Sequence, residues 1–174
     1  MQLDLDELYK FVNSILTGND GDHFTTLGLH PEYVRRHRVG MSMPYNELLI
    51  GDLESGAIHG SAIAALLDTC CGFVAATALD DLAITPTIDL RIDYMRAATP
   101  GRTIYADAQV YGVAENVIFT RAVAHHGDRE QAIAAATGNF ACMESGMFEV
   151  MRRDFRTGQA LKDIEFNAGV GSNE

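Results

Sequence analysis

Tryptophan is absent from this chain of 174 residues, proline occurs 4 times and cysteine 3 times. So little proline excludes a proline-rich linker, and 16 glycines without a fixed period exclude a collagen-like chain. The cysteines, Cys70, Cys71 and Cys142, fall into no CxxC or Cys/His spacing, and an odd count is a poor disulfide framework. A reducing, cytoplasmic compartment and no metal site are the expectations. Positive charge is scarce as well: 13 Lys and Arg stand against 24 Asp and Glu, a formal net charge of −11. Such a surface repels phosphate backbones and anionic lipids, so neither nucleic acid nor a membrane is expected as a partner. No uncharged apolar run is long enough to span a bilayer. Ala62 to Leu79 would reach roughly 27 Å as a helix, but Asp68 lies near its middle and Ala, Gly, Thr and Cys dilute it. Met1 to Tyr9 carries Asp4, Asp6 and Glu7 and no basic residue, so a signal peptide is not expected there.

What remains is the composition of a globular protein, 47% hydrophobic and 21% charged, with a length suited to a single domain over residues 1–174. Leu5, Leu8, Tyr9, Val12, Ile15 and Leu16 share one helical face and predict an amphipathic helix over 5–16, with Asp4 as its cap and Gly18 at its end. Asn19 to Asp22 predicts a solvated turn, since the alternating ligands and closing Glu of a calcium loop are missing. Gly40 and Pro44 break the next stretch into two short extended pieces, about 36–44 and 47–50, and 51–59 is loop-like. From Gly60 or Ser61 to about Leu79 the residues are apolar on almost every side, as in a helix buried all round. After Asp80 the period becomes two. Ile88, Leu90, Ile92 and Tyr94 alternate with Thr87, Asp89, Arg91 and Asp93, the pattern of a strand with one buried and one wet face. Turns at Thr99-Pro100-Gly101, Gly112 to Asn116 and Gly127 to Glu130 divide the rest into four antiparallel strands, about 86–96, 102–112, 117–126 and 131–143. Gln131 to Ala136 is Ala-rich enough to begin a helix instead; the regular spacing of its neighbours favours the strand. The extension 144–174 offers one possible helix, 147–155, and then an end expected to be poorly ordered.

The chemistry concentrates on Asp68, a carboxylate inside an apolar helix. Charges are almost never buried without a partner or a task. Its neighbours three and four residues away, Ala64, Ala65, Cys71 and Gly72, are all small and leave space around it. Two readings fit. In one, the small residues let a sheet wrap closely while Asp68 bonds a nearby N–H or Arg; in the other, the carboxylate is a base facing a substrate. Upstream, His59 and Gly60 stand where loop turns into helix. The N–H groups and partial positive charge of a helix start can hold an oxyanion, and Gly lets a ligand approach closely. A carboxylate base and an N–H donor are two parts of an acyl-transfer site.

Gly56-Ala57-Ile58-His59-Gly60-Ser61, Leu66-Leu67-Asp68-Thr69-Cys70-Cys71-Gly72, Thr87 through Arg96, and Pro100-Gly101 together resemble the hotdog-fold acyl-CoA thioesterases, and within them the PaaI-like branch related to 4-hydroxybenzoyl-CoA thioesterases. The resemblance covers a core of about 35–143, leaving the N-terminal helix and the 144–174 extension outside it. It implies an α+β hotdog fold, a long helix wrapped by an antiparallel sheet. It also implies a homodimer, often paired into a tetramer, and hydrolysis of an acyl-CoA substrate without a cofactor. By position, Asp68 would be general base or nucleophile, the Gly60 N–H would polarise the thioester carbonyl, and His59 would orient it. The His59-Gly60 loop of one subunit would face Asp68 of the other. Ser61 and Gly72 would border the substrate. Two departures stand out: Ser61 replaces the usual second Gly, and Leu53 occupies the place of a common Asn or Gln, for which Asn46, Asp52 or Glu54 are candidate substitutes.

CoA carries phosphates, so an acidic chain needs a local basic patch. Arg91, Arg96 and Arg102 gather around one turn and Arg121 follows, with Arg96 the first candidate because it ends its strand beside that turn. His125 and His126 are adjacent on a strand, point to opposite faces and cannot chelate together simply. Cys70 and Cys71 read as buried small hydrophobes, without the nearby positive charge a thiolate nucleophile needs. No GxSxG, P-loop or Rossmann pattern occurs. Besides thioester hydrolysis, two alternatives remain open: a non-catalytic acyl-CoA-binding module, and a hotdog hydratase or dehydratase, which lacks its usual motif here.

Overall fold

The computed structural model describes residues 4–17, 22–80, 83 and 85–142. The chain divides into units 1–144 and 145–174. The second unit, the expected helix 147–155 and most of the turn at 19–22 lie outside the described residues.

The amphipathic start is helix α1 (Leu5–Thr17), which buries Leu8, Phe11, Val12 and Leu16. A five-residue helix α2 (His23–Leu27) follows, capped by the Asp22 carboxylate on the Thr25 N–H at 2.7 Å and closed by Gly28 at φ 65. The strands are β1 (His30–Arg35), β2 (Arg38–Met43), the short pair β3 (Ile50–Asp52) and β4 (Ala57–Ile58), then β5 (Thr87–Tyr94), β6 (Ile104–Val113), β7 (Val117–His125) and β8 (Ala134–Ala141). Helix α3 (Gly60–Ala76) joins β4 to β5. Six strands form one antiparallel sheet in the order β1-β2-β6-β7-β8-β5. The meander β6-β7-β8 is central, and β5 is an edge.

Helix α3 lies on the face of the sheet lined by Met41, Ala106, Ala108, Ala122, Ala124 and Ala136, all buried. Alanines on three neighbouring strands let the helix backbone come close, and the larger side chains of the helix, Leu66 and Leu67 among them, fill the interface. Full burial of each such leucine stabilises the fold by about 2 kcal/mol. On the other face of the sheet, the Tyr33 ring covers Gly40 so closely that a Cβ there would clash with it.

The four predicted strands and the long helix are present; the Ala-rich stretch opens with a 3₁₀ turn at Arg129–Gln131 and is strand from Ala134. The differences have local causes. Strand β1 and helix α2 were not expected; β1 carries Pro31 and an irregular register between Pro31 and Tyr33, which hides its alternation. In place of an extended piece at 47–50, Glu47–Leu49 is a 3₁₀ turn, because the Asn46 side chain caps the Leu48 N–H. The stretch expected as loop is the β3–β4 hairpin, turned at Gly56 with φ 72. Helix α3 stops at Ala76 instead of about Leu79. The Thr77 hydroxyl bonds the Val74 carbonyl, and the Arg36 guanidinium takes the carbonyls of Ala78 and Leu79.

Candidate active site

The β3–β4 hairpin delivers His59 to the start of α3. The His59 N–H bonds the Leu49 carbonyl at 2.8 Å, and Gly51 passes so near that a Cβ would lie 2.7 Å from the His59 Cα. With φ −63 and ψ 137, His59 is the N-cap of the helix. Its Nδ1 accepts the Ser61 N–H at 3.1 Å and lies 2.7 Å from the Ser61 hydroxyl. An Nδ1 that accepts from the backbone assigns the ring proton to Nε2, which turns a hydrogen-bond donor outward. The cap satisfies Ser61 and leaves the Gly60 N–H without a partner among the described residues. Opposite, the Tyr94 hydroxyl donates to the Gly60 carbonyl at 2.9 Å.

Asp68 projects from the third turn of α3 and is half-buried, not sealed in the core. Its Oδ1 accepts the Thr87 hydroxyl at 2.8 Å. Strict alternation from Leu90 would turn Thr87 to the outer face. A β-bulge between Thr87 and Asp89 resets the phase, so Thr87 pairs with Phe140 and faces the helix. Thr85 adds a second clamp, donating to the Gly72 carbonyl at 2.9 Å, and a Cβ on Gly72 would meet only the Phe140 ring at 3.6 Å. Beside the carboxylate, burial pushes the Cys71 thiol up to about 12, and burial also holds Cys70 well above the usual thiol range. Neither thiol is a thiolate near neutrality, which agrees with their reading as small hydrophobes.

The two halves of the site lie far apart within one chain. Gly60 and Asp68 are separated along the helix by about 12 Å at 1.5 Å per residue. The edge strand connecting them is open where its sequence predicted burial: Ile88 is 56% exposed and Tyr94 53%, and Met95, just past its end, is 56% exposed as well. The alternation holds from Asp89 to Tyr94, but β5 is an edge strand and its own chain leaves these side chains only partly covered.

The arginines expected to gather at one turn part company. Arg91 pairs with Asp93 on β5, Arg96 bonds the Gln131 amide oxygen, and Arg102 bonds the His126 carbonyl at 2.8 Å. Arg121 projects from β7, where the Gln109 amide oxygen accepts from its guanidinium. His125 and His126 do diverge: His125 meets the Asp107 carboxylate at 2.7 Å, while His126 bonds Thr103 and Thr99. Leu53 is 91% exposed at the hairpin tip, and the nearby Asn46 and Asp52 side chains are occupied in their own turns. Among the described residues no set of three His, Cys, Asp or Glu gathers as a metal site, and no helix is long and apolar enough to cross a membrane. Thr87 and Tyr94 are the contacts that sequence reasoning passed over. Tyr94 had one legible signal, its place at the end of an alternating strand.

The family model described as the thioesterase superfamily matches residues 55–133, which hold His59, Gly60, Asp68 and Thr87. A search of curated proteins returned no match. Among solved structures, a protein from Pseudomonas aeruginosa is 40% identical over 80% of this chain and 98% of its own, with a TM-score of 0.68. A Shewanella oneidensis protein related to the thioesterase superfamily is 24% identical over 82% of this chain and 100% of its own, with a TM-score of 0.67. The E. coli PaaI protein from the phenylacetic acid degradation operon is 14% identical over 81% of this chain and 96% of its own, with a TM-score of 0.68, a likeness of fold alone. A long helix wrapped by a six-stranded antiparallel sheet, the family match across the helix start and its carboxylate, and the Pseudomonas relative converge: this chain belongs to the thioesterase superfamily and has the hotdog fold.

Proposed function

We propose that the protein hydrolyses an acyl-CoA thioester to the free acid and CoA, in sites shared between two copies of the chain. The observation that carries this reading is the placement of an open N–H at the start of α3 and a hydroxyl-held carboxylate two turns further on, beside an uncovered apolar edge. In the proposed reaction the Asp68 carboxylate takes a proton from water as the oxygen adds to the thioester carbon. The charge that develops on the carbonyl oxygen is met by the Gly60 N–H of the partner chain, reinforced by the helix dipole. His59 holds the cap and presents Nε2–H toward the thioester. Collapse of the tetrahedral intermediate breaks the C–S bond, and the proton on Asp68 passes to the departing thiolate. Direct attack by the same carboxylate, with the resulting anhydride then hydrolysed by water, gives the same products.

A twofold partner would cover Ile88, Tyr94 and Met95 and bring its own helix start to Asp68, so that every dimer holds two equivalent sites. Ser61 and Gly72 border the acyl thioester in this reading, and Arg96 reaches the CoA phosphates from the β5 end. Three cysteines without a disulfide fit a cytoplasmic location.

Thiol release is measured across short, long and aromatic acyl-CoAs, with hydration of an enoyl-CoA run alongside, for the wild type and Asp68→Asn. Asp68→Asn is expected to lose at least about a hundredfold in turnover, the low end for acid–base catalysis, with folding kept. Near wild-type hydrolysis by the variant removes Asp68 from the reaction. Binding without any thiol release by the wild type replaces the hydrolase reading with a binding module.

A further inference from the structure

The outer face of the sheet, opposite α3, carries charge that the proposed acyl-transfer site does not use. Side chains alternate, so Ala106, Ala108, Ala122 and Ala136 turn toward the helix while Asp107, Gln109, Arg121 and Thr137 turn away. The register aligns Arg38, Gln109, Arg121, Thr137 and Arg91 in one row across neighbouring strands. Beside that row lies a cavity of about 320 Å³, bordered by Arg38, Arg121, Arg129 and Tyr33 over the small side chains of Val123 and Ala135. Its volume is at the small end of the range for small-molecule sites.

The cations here are under-used. Arg38 has no hydrogen bond or ion pair among the described residues. Among the described residues Arg121 meets only the neutral Gln109 amide oxygen. Arg129 spends its Nε on Asp107 at 2.6 Å and also interacts with the Tyr33 hydroxyl. Asp107, the one carboxylate among the lining residues, is already engaged by Arg129, Tyr33 and His125. Three guanidinium groups against one carboxylate leave two net positive charges in a chain whose total is −11. A concave cationic basin on an acidic protein collects small anions, and planar guanidinium forks match the oxygens of a phosphate dianion in both geometry and charge.

We propose that this basin binds the phosphate group of a small phosphorylated molecule, at a site separate from the one built on His59, Gly60 and Asp68. The Gln109 amide and Thr137 hydroxyl supply neutral donors within the row, and Val123 and Ala135 give the organic body an apolar floor. The phosphate has two sources, the nucleotide end of CoA or a distinct phosphorylated metabolite. The inference does not depend on the hydrolase reading.

The test is calorimetric titration at low ionic strength with inorganic phosphate, adenosine 3′,5′-bisphosphate and glucose 6-phosphate, joined to backbone amide shifts recorded during the same titrations. Saturable binding is expected, with shifts centred on residues 107–109, 121–123 and 135–137. Preference for the bisphosphate assigns the CoA source, and preference for glucose 6-phosphate assigns a separate metabolite. Arg38→Gln and Arg121→Gln should each weaken binding at least about tenfold, the low end for a charge-assisted hydrogen bond. Thr137→Glu, which adds a negative charge at the basin, should abolish it, and Asp68→Asn should leave it unchanged. Circular dichroism melts check that each variant is folded. No saturable binding of any of the three probes overturns the proposal. So do shifts centred on 59–61 or 68–72, or arginine variants that bind as tightly as the wild type. Arginine variants that split an oligomer while leaving anion binding untouched make the face a contact between copies and overturn it as well.

Discussion

The separation of Gly60 and Asp68 along one rigid helix makes the shared site testable by mixing two lesions. Gly60→Pro removes the N–H assigned to the carbonyl and should cost little in folding. Proline suits the first position of a helix, and the residue before it must be extended, as His59 already is at φ −63 and ψ 137. A Cβ at position 60 would lie 3.4 Å from the Tyr94 ring, a contact that a small shift of a half-exposed side chain absorbs. Asp68→Asn removes the other half while preserving shape. Each homodimer should be inactive. Mixed dimers carry one site with both lesions and one with neither. Random re-association of equal amounts makes half the dimers mixed, so the specific activity should recover to about a quarter of wild type, or half per mixed dimer. The assay is thiol release after joint refolding or co-expression, with differently tagged chains to count mixed dimers. If mixed dimers form and activity does not exceed the sum of the parents, both groups act from the same chain and the 12 Å argument is wrong. A monodisperse monomer with full activity ends the shared site outright.

The remaining expectations concern two side chains. Thr87→Val frees the Asp68 Oδ1, and loss of one bond to a partly exposed charged acceptor predicts about a tenfold fall in kcat with little change in KM; Thr87→Ser should restore most of it, and an unchanged kcat in the valine variant refutes the positioning role. At Asp107, burial alone would raise the carboxyl, yet hydrogen bonds from Arg129, Tyr33 and His125 bring it down to about 2. The ionised form is therefore favoured by the folded chain, so its contribution is complete above the unfolded value near 4 and is lost as pH falls toward 2. That contribution is about 1 kcal/mol after discounting for partial exposure. Urea midpoints measured between pH 2 and 5 should show a shallower acid limb for Asp107→Asn; parallel limbs in the two proteins contradict the assignment.

How far the sequence was legible follows from the range of the forces involved. Helix α1, helix α3 and the strands from β5 to β8 declared themselves because their apolar period is local. The ambiguity at Gln131–Ala136 resolved to a 3₁₀ turn ending at Gln131 and a strand from Ala134, because Ala134 and Ala136 face a helix that needs small neighbours, a requirement that comes from α3 and not from their own propensity. Strand β1 hid because its burial depends on α1 and on the Tyr33 ring lying over Gly40, contacts between distant segments. The sheet order, with β5 beside β8, was not written in any turn. It follows from the chain crossing from one edge to the middle after Thr99-Pro100-Gly101.

The candidate site divides the same way. Asp68 and His59-Gly60 were visible as local anomalies, a charge in an apolar helix and a glycine at a helix start. Thr87 was not, because in the unbroken period of β5 it belongs to the wet face. Its inward turn is set by the partner strand. Gly138 has no side chain, and a Cβ there would fall 2.8 Å from a Leu90 methyl, so Leu90 packs inward at that position. One step along, the Asn139 amide bonds the Asp89 carboxylate at 2.7 Å and fixes Asp89 outward. With Leu90 and Asp89 fixed, the bulge falls at Ile88 and returns Thr87 to the inner face, where its hydroxyl meets Asp68. The orientation of the carboxylate on α3 is thus decided on β8, the last strand of the sheet in sequence, by one residue that lacks a side chain and another that supplies an amide.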